Sequence, residues 1–275
     1  MDRTYYLDHV VYENDSLAQM WRNEELCDVK VCVGCREWPC HRVILATMGH
    51  FRDVFENSTP TSATGGLPTV NVGGMEPDVF ECVLRFLYEG TTTVTYETVK
   101  QLLKAAAYLF FDDLMEACGR VLVVTTTPIN VFDHWGLADE YGRGALMSQL
   151  AMACHEVALV FFAMVVGHAG PFTVEAATDF WQHPLFDFNK MVDLLRDDNL
   201  DADEFVVIQG LASWHGPAIS LDGEYDQAEF QTRKYAEFVH CLQYVRFGNL
   251  SLFQFKKVQD LPIMQSPAAL KVMLQ

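Results

Sequence analysis

The stretch Asp28–Ala46 reads DVKVCVGCREWPCHRVILA. Val29, Val31 and Val33 alternate with Asp28, Lys30 and Cys32, the period of a strand with one buried and one exposed face. Gly34-Cys35 supplies a turn and Glu37-Trp38-Pro39 leads back, so the segment forms a β-hairpin. From His41 the apolar spacing becomes helical through Val43, Ile44 and Met48. A second helix begins near Gly49 with Phe51, Val54 and Phe55 on one face.

Upstream, Tyr5-Tyr6-Leu7-Asp8-His9-Val10-Val11 is aromatic and β-branched, which favours an extended segment. Asn14 or Asp15 then caps a short helix whose residues Leu17, Met20 and Trp21 share a face. Downstream, Thr59 to Pro68 is a loop by composition, and Thr69–Val72 is a short strand. Pro77 opens a helix with Phe80, Val83, Leu84 and Leu87 in one stripe, and Gly90 closes it. After a Thr-rich strand, Val99, Leu102, Leu103, Ala106, Ala107 and Phe110 hold a continuous helical face.

From about residue 128 strand signals give way to helical stretches broken at Pro128, at Gly142 to Gly144, at Gly167 to Pro171 and at Pro184. The expected organisation is two domains, 1–125 mixed and 126–275 all helical, with an acidic, Gly-containing loop from Gly216 to Asp226. The apolar run Val157 to Val166, about ten residues, falls short of the roughly 20 that cross a bilayer. It reads as a buried helix, and no membrane association is expected.

Thirty-seven acidic against nineteen basic side chains give a net charge of -18. With no basic cluster to offset that field, direct nucleic-acid binding is disfavoured. The amino terminus lacks the charged and apolar regions of a secretory signal, so cytosol or nucleus is the expected location, with the eight cysteines reduced. Cys32, Cys35, Cys40 and His41 imitate a zinc-ligand order, yet Cys32 sits in the alternating strand and the hairpin needs no metal. Asp197, Asp198, Asp201, Asp203 and Glu204 lack the glycine and spacing of a calcium loop and read as turn-forming and helix-starting acids. No Walker loop, nucleophile elbow, zincin motif or dinucleotide fingerprint is present, so neither a cofactor nor an enzyme is expected.

Particular residues now carry a resemblance. Leu26-Cys27-Asp28-Val29, His41-Arg42-Val43-Ile44-Leu45-Ala46, Phe51-Arg52-Asp53-Val54-Phe55 and Phe86-Leu87-Tyr88-Glu89-Gly90 resemble the BTB (POZ) domain. Leu137-Ala138-Asp139-Glu140-Tyr141-Gly142, Leu194-Leu195 with Asp197-Asp198-Asn199-Leu200, Trp214, and Val245-Arg246-Phe247 with Leu250-Ser251 resemble the BACK domain that follows it in Kelch-like proteins. The implied fold is an α+β BTB domain, a short mixed sheet flanked by helices, followed by an all-α BACK domain.

The resemblance implies a homodimer in which the amino-terminal strand pairs with the second subunit. Leu7, Val10, Leu17, Met20 and Trp21 are candidates for that interface, with Asp28 and Arg42 matching two charged interface positions. It also implies cullin-3 binding through Phe55, Glu56, Asn57 and Ser58, then Tyr108, Phe110 and Phe111, supported by the segment from Val131 to Leu137. The loop Thr59 to Gly66 departs from the hydrophobic-x-Glu pattern of strong cullin binders, and no propeller-blade period is present. Two functions follow: a substrate-recruiting ubiquitin-ligase adaptor, favoured by the BACK resemblance, or a cullin-independent scaffold or transcriptional co-regulator, favoured by the loop.

Overall fold

A computed structural model describes residues 4–8, 15–57, 66–142, 145–162, 188–215 and 227–274. By contacts the chain divides into two compact units, Met1–Thr125 with Arg143–Met147, and Thr126–Gly142 with Ser148–Gln275.

In the first unit, β2 (Val29–Val33) and β3 (Arg36–Cys40) form the antiparallel hairpin, closing at Val33 opposite Arg36. Gly34 takes φ +58 in the turn, the left-handed region that a side chain resists. β4 (Thr69–Val72) runs parallel to β2 on its other edge, giving the order β3-β2-β4. Val29, Val31 and Val33 are fully buried, as their alternation requires.

Helices α1 (Asp15–Arg22), α2 (Arg42–Leu45), α3 (Gly49–Asn57), α4 (Pro77–Glu89), α5 (Tyr96–Leu109) and α6 (Asp112–Thr125) surround this sheet. α4 starts on Pro77 and stops at Gly90, whose φ of 72 permits the left-handed cap. Thr95 caps α5 by accepting the Thr98 N–H. Phe51, Phe80, Leu84, Leu102 and Leu103 pack the centre. A separate two-stranded sheet joins β1 (Thr4–Asp8) to β5 (Thr91–Thr95), antiparallel.

The second unit shows no strand among its described residues. It contains α7 (Val131–Glu140), α8 (Ala145–Val160), whose first residues belong to the first unit, α9 (Phe188–Arg196), α10 (Glu204–His215), α11 (Gln227–Cys241), α12 (Leu252–Gln259) and α13 (Pro267–Met273), with 3-10 turns between the later helices. Met191, Leu194, Ile208, Leu211, Phe238 and Leu242 form its core. The acids between α9 and α10 do local work: Asp197 accepts the Asn199 N–H, Asp203 accepts the Phe205 N–H at the start of α10, and Glu204 pairs with Arg246. No helix among the described residues is long and apolar enough to cross a membrane. The tail of the Val157 to Val166 run and the Gly216 to Asp226 loop lie outside the described residues.

Among the described residues no group of three or more metal-ligating side chains comes together. The cysteines instead separate by burial. Burial pushes the Cys40, Cys154 and Cys241 thiols up to about 12, whereas Cys35 stands exposed on the hairpin turn. Brief treatment of the native chain with a maleimide is therefore expected to label Cys35 first, with Cys40, Cys118, Cys154 and Cys241 labelled only after unfolding; peptide mapping checks the order.

Candidate functional site

Three parts of the first unit gather the sequence-selected residues. The first is a buried polar knot behind α1. Trp21, half-buried, stacks on Tyr88 with centroids 4.9 Å apart and planes 5° from parallel. His41 Nε2 lies 2.8 Å from the Glu25 carbonyl, which can only accept, so that nitrogen carries the proton. Nδ1, 3.2 Å from the Tyr88 hydroxyl, then accepts its proton, while the hydroxyl oxygen accepts the His41 backbone N–H at 2.9 Å. His41 thus satisfies buried hydrogen bonds and fixes the entry to α2.

The second part is the charged pair. Asp28 does not reach the Arg42 guanidinium; its carboxylate accepts the Arg42 backbone N–H at 2.7 Å. The guanidinium lies over the Phe55 ring at 4.9 Å. Within the chain the two residues thus make a cap on α2 and a cation–π contact. The aliphatic residues flanking this cap, Leu26 and Val43, are 79% and 76% exposed. Sequence reading placed Val43 in a helical apolar stripe, but α2 is a single turn and carries Leu45 into the core instead.

Within the single chain β1 pairs with β5, and Leu7 is buried beneath that pairing. Leu17 and Met20 remain half-buried. Val10 and Ser58 lie outside the described residues.

The third part is an aromatic ridge where α5 ends. Phe110 adopts φ 53, ψ 52 and caps α5, its N–H reaching back to Ala106 and Ala107 carbonyls. That left-handed step ends the helical period one residue before the sequence stripe does. Phe110 swings out to 58% exposure, and Phe111 turns inward to 6%, edge-on to Phe86. Phe111 is therefore a core residue, which removes it from the expected cullin-binding surface. Val131, Phe132, Trp135 and Leu137 are likewise buried in the second unit.

What stays outside is Tyr108, 47% exposed with its ring 5.0 Å from His50, together with Phe110, half-buried Phe55 and exposed Glu56 and Asn57. Burial lowers the tendency of His50 to take a proton, so its imidazole packs as a neutral ring at neutral pH. Gly49 is what brings Phe110 onto α3, since a Cβ there would lie 2.9 Å from the Phe110 Cβ. Gly49→Ala is expected to displace Phe110 and cost about 1–3 kcal/mol, read from the urea midpoint.

Residues 17–126 match the model of the BTB/POZ domain. Kelch-like protein 38 of Homo sapiens is 26% identical over 244 residues, covering 87% of this chain and 38% of that protein. Kelch-like protein 38 of Danio rerio is 30% identical over 200 residues, 71% of this chain and 31% of that protein. Kelch-like protein 24 of Homo sapiens is 30% identical over 142 residues, 51% of this chain and 22% of that protein. The chain therefore spans well under half the length of these relatives. Among solved structures, the BTB domain of zebrafish PATZ1 is similar at 24% identity with a TM-score of 0.34, covering 41% of this chain and 97% of that one.

Proposed function

Because residues 17–126 are a BTB/POZ domain and the chain resembles Kelch-like proteins into its helical half, we propose that it is a dimeric, non-catalytic adaptor linking a cullin-3 ubiquitin ligase to a protein target. The observation that supports this reading is the exposed aromatic ridge. Tyr108 and Phe110 stand out of the fold where α5 ends, against the start of α3 at Gly49 and His50, an exposed aromatic anchor suited to a protein interface. Phe111 is no longer part of that surface. Dimerisation would place two target sites beside one another and raise the avidity for clustered targets. In this reading the dimer face is built from half-buried Leu17 and Met20 on α1, with exposed Leu26 and Val43 around the Asp28 cap. Cytosol and nucleus both suit such an adaptor.

Copurification with cullin-3 tests it. The wild-type chain is expected to capture cullin-3, and Tyr108→Ala with Phe110→Asp is expected to reduce capture at least about tenfold without lowering the urea midpoint, since both side chains are exposed. Undiminished capture by the double variant rejects this surface. A wild-type dimer that captures no cullin-3 favours the scaffold or co-regulator reading, to which the Thr59 to Gly66 loop already points by lacking the hydrophobic-x-Glu pattern.

A further inference from the structure

The link from α1 to β2 carries two left-handed residues that are not glycine, Glu24 at φ 55 and Leu26 at φ 58. A side chain resists that region, because its Cβ crowds the following carbonyl oxygen. Glu24 has a local cause. The Glu25 N–H reaches back to the Met20 carbonyl at 2.8 Å and the Glu24 N–H to the Trp21 carbonyl at 3.1 Å, the paired bonds of a Schellman cap, whose first residue past the helix is left-handed. Leu26 lies beyond that cap and closes no helix.

Hydrogen bonds on both sides hold Leu26 in this conformation. One residue earlier, His41 Nε2 donates to the Glu25 carbonyl at 2.8 Å; two residues later, the Asp28 N–H donates to the Cys40 carbonyl at 3.1 Å. His41 is itself buried and bonded to Tyr88, so the clamp belongs to the packed part of the fold. The same frame leaves the leucine side chain 79% in solvent, where little apolar burial within the chain offsets the strain. Glycine or asparagine would take this backbone more readily.

The surroundings suit a second copy of the chain. At a net charge of -18 two copies repel over most of their surfaces, so close approach needs a face whose carboxylates are already engaged. Around Leu26, Glu25 accepts the Asn23 amide at 3.0 Å, Asp28 accepts the Arg42 N–H at 2.7 Å, and Glu24 stays exposed at the rim. The Arg42 guanidinium lies over its own Phe55, which leaves Leu26 and Val43 as the outstanding apolar groups. A two-fold contact sets the same patch against itself.

We propose that Leu26 is a strained anchor for a second copy of this chain: its left-handed backbone, clamped by His41 through the Glu25 carbonyl, holds the leucine out until dimerisation buries it. The assignment rests on the dimeric reading and deepens it, since it makes Leu26 a residue that weakens the single chain and strengthens the pair.

Two variants of the full chain separate those effects. Leu26→Gly removes both the side chain and the strain, whereas Leu26→Ala removes the side chain and keeps a Cβ in the left-handed region. By sedimentation equilibrium both are expected to weaken the dimer at least about tenfold. Urea unfolding in a Val43→Asp background, which charges the same face, reads the strain apart from dimerisation. There Leu26→Gly is expected to raise the midpoint by about 0.3 M, because the left-handed penalty exceeds the freedom glycine adds to the unfolded chain, and Leu26→Ala is expected not to raise it. A weaker dimer together with a more stable chain is a pair of opposite signs that a merely structural leucine does not give. A wild-type dimer that Leu26→Gly leaves equally tight, or a midpoint that Leu26→Gly fails to raise, overturns the anchor and leaves the dimeric reading standing. A wild-type chain that is monomeric at every concentration removes the dimeric reading and the anchor with it.

Discussion

Phe111→Ala is expected to destabilise the first unit by about 3–5 kcal/mol, because a fully packed aromatic is exchanged for a methyl group and a cavity. Phe111 meets Phe86 edge-on at 5.7 Å, so the loss includes that ring contact as well as apolar burial. Its neighbour gives the contrast. Phe110→Ala removes a ring that is mostly in solvent and is expected to change stability by no more than about 0.5 kcal/mol. Urea unfolding of the two variants separates them, and equal destabilisation would place Phe110 in the core and withdraw the exposed ridge.

Tyr88→Phe is the second large effect, and it isolates a hydroxyl. The ring and its stack on Trp21 survive the change, but the His41 backbone N–H loses its acceptor and His41 Nδ1 loses its donor. Leaving that buried donor unmade is expected to cost about 1–3 kcal/mol. The same urea measurement checks it, and a neutral result would mean that water replaces the hydroxyl inside the knot.

Much of the fold was legible in local patterns. The valine alternation at 29, 31 and 33 with Gly34 after it specified a hairpin, and Pro77 and Gly90 bracketed α4, because these signals depend on residues near in sequence. The parallel pairing of β4 with β2 was not legible, since nothing in Thr69–Val72 states which strand it joins.

The site was harder to read for a related reason. A stripe at helical spacing carried Phe110 into the expected buried face, but one left-handed residue reverses the roles of Phe110 and Phe111, and periodicity carries no mark of that step. Gly49, packed under Phe110, is the sequence signal that could have revealed it. Asp28 and Arg42 meet through a backbone N–H, a contact that pairing by charge does not anticipate. Trp21 was selected for its place on an apolar helix face; its stack on Tyr88, 67 positions away, is a contact that only the tertiary fold supplies.

Adaptor, scaffold and co-regulator readings all require the BTB/POZ unit to present its apolar α1 and α2 surface to a second chain. Sedimentation equilibrium of the full chain at micromolar concentration measures this directly. The expected mass is twice the 31.2 kDa of one chain, falling to one chain when Leu26→Asp and Val43→Asp place two charges on that face. A wild-type mass of one chain at every concentration would contradict the account.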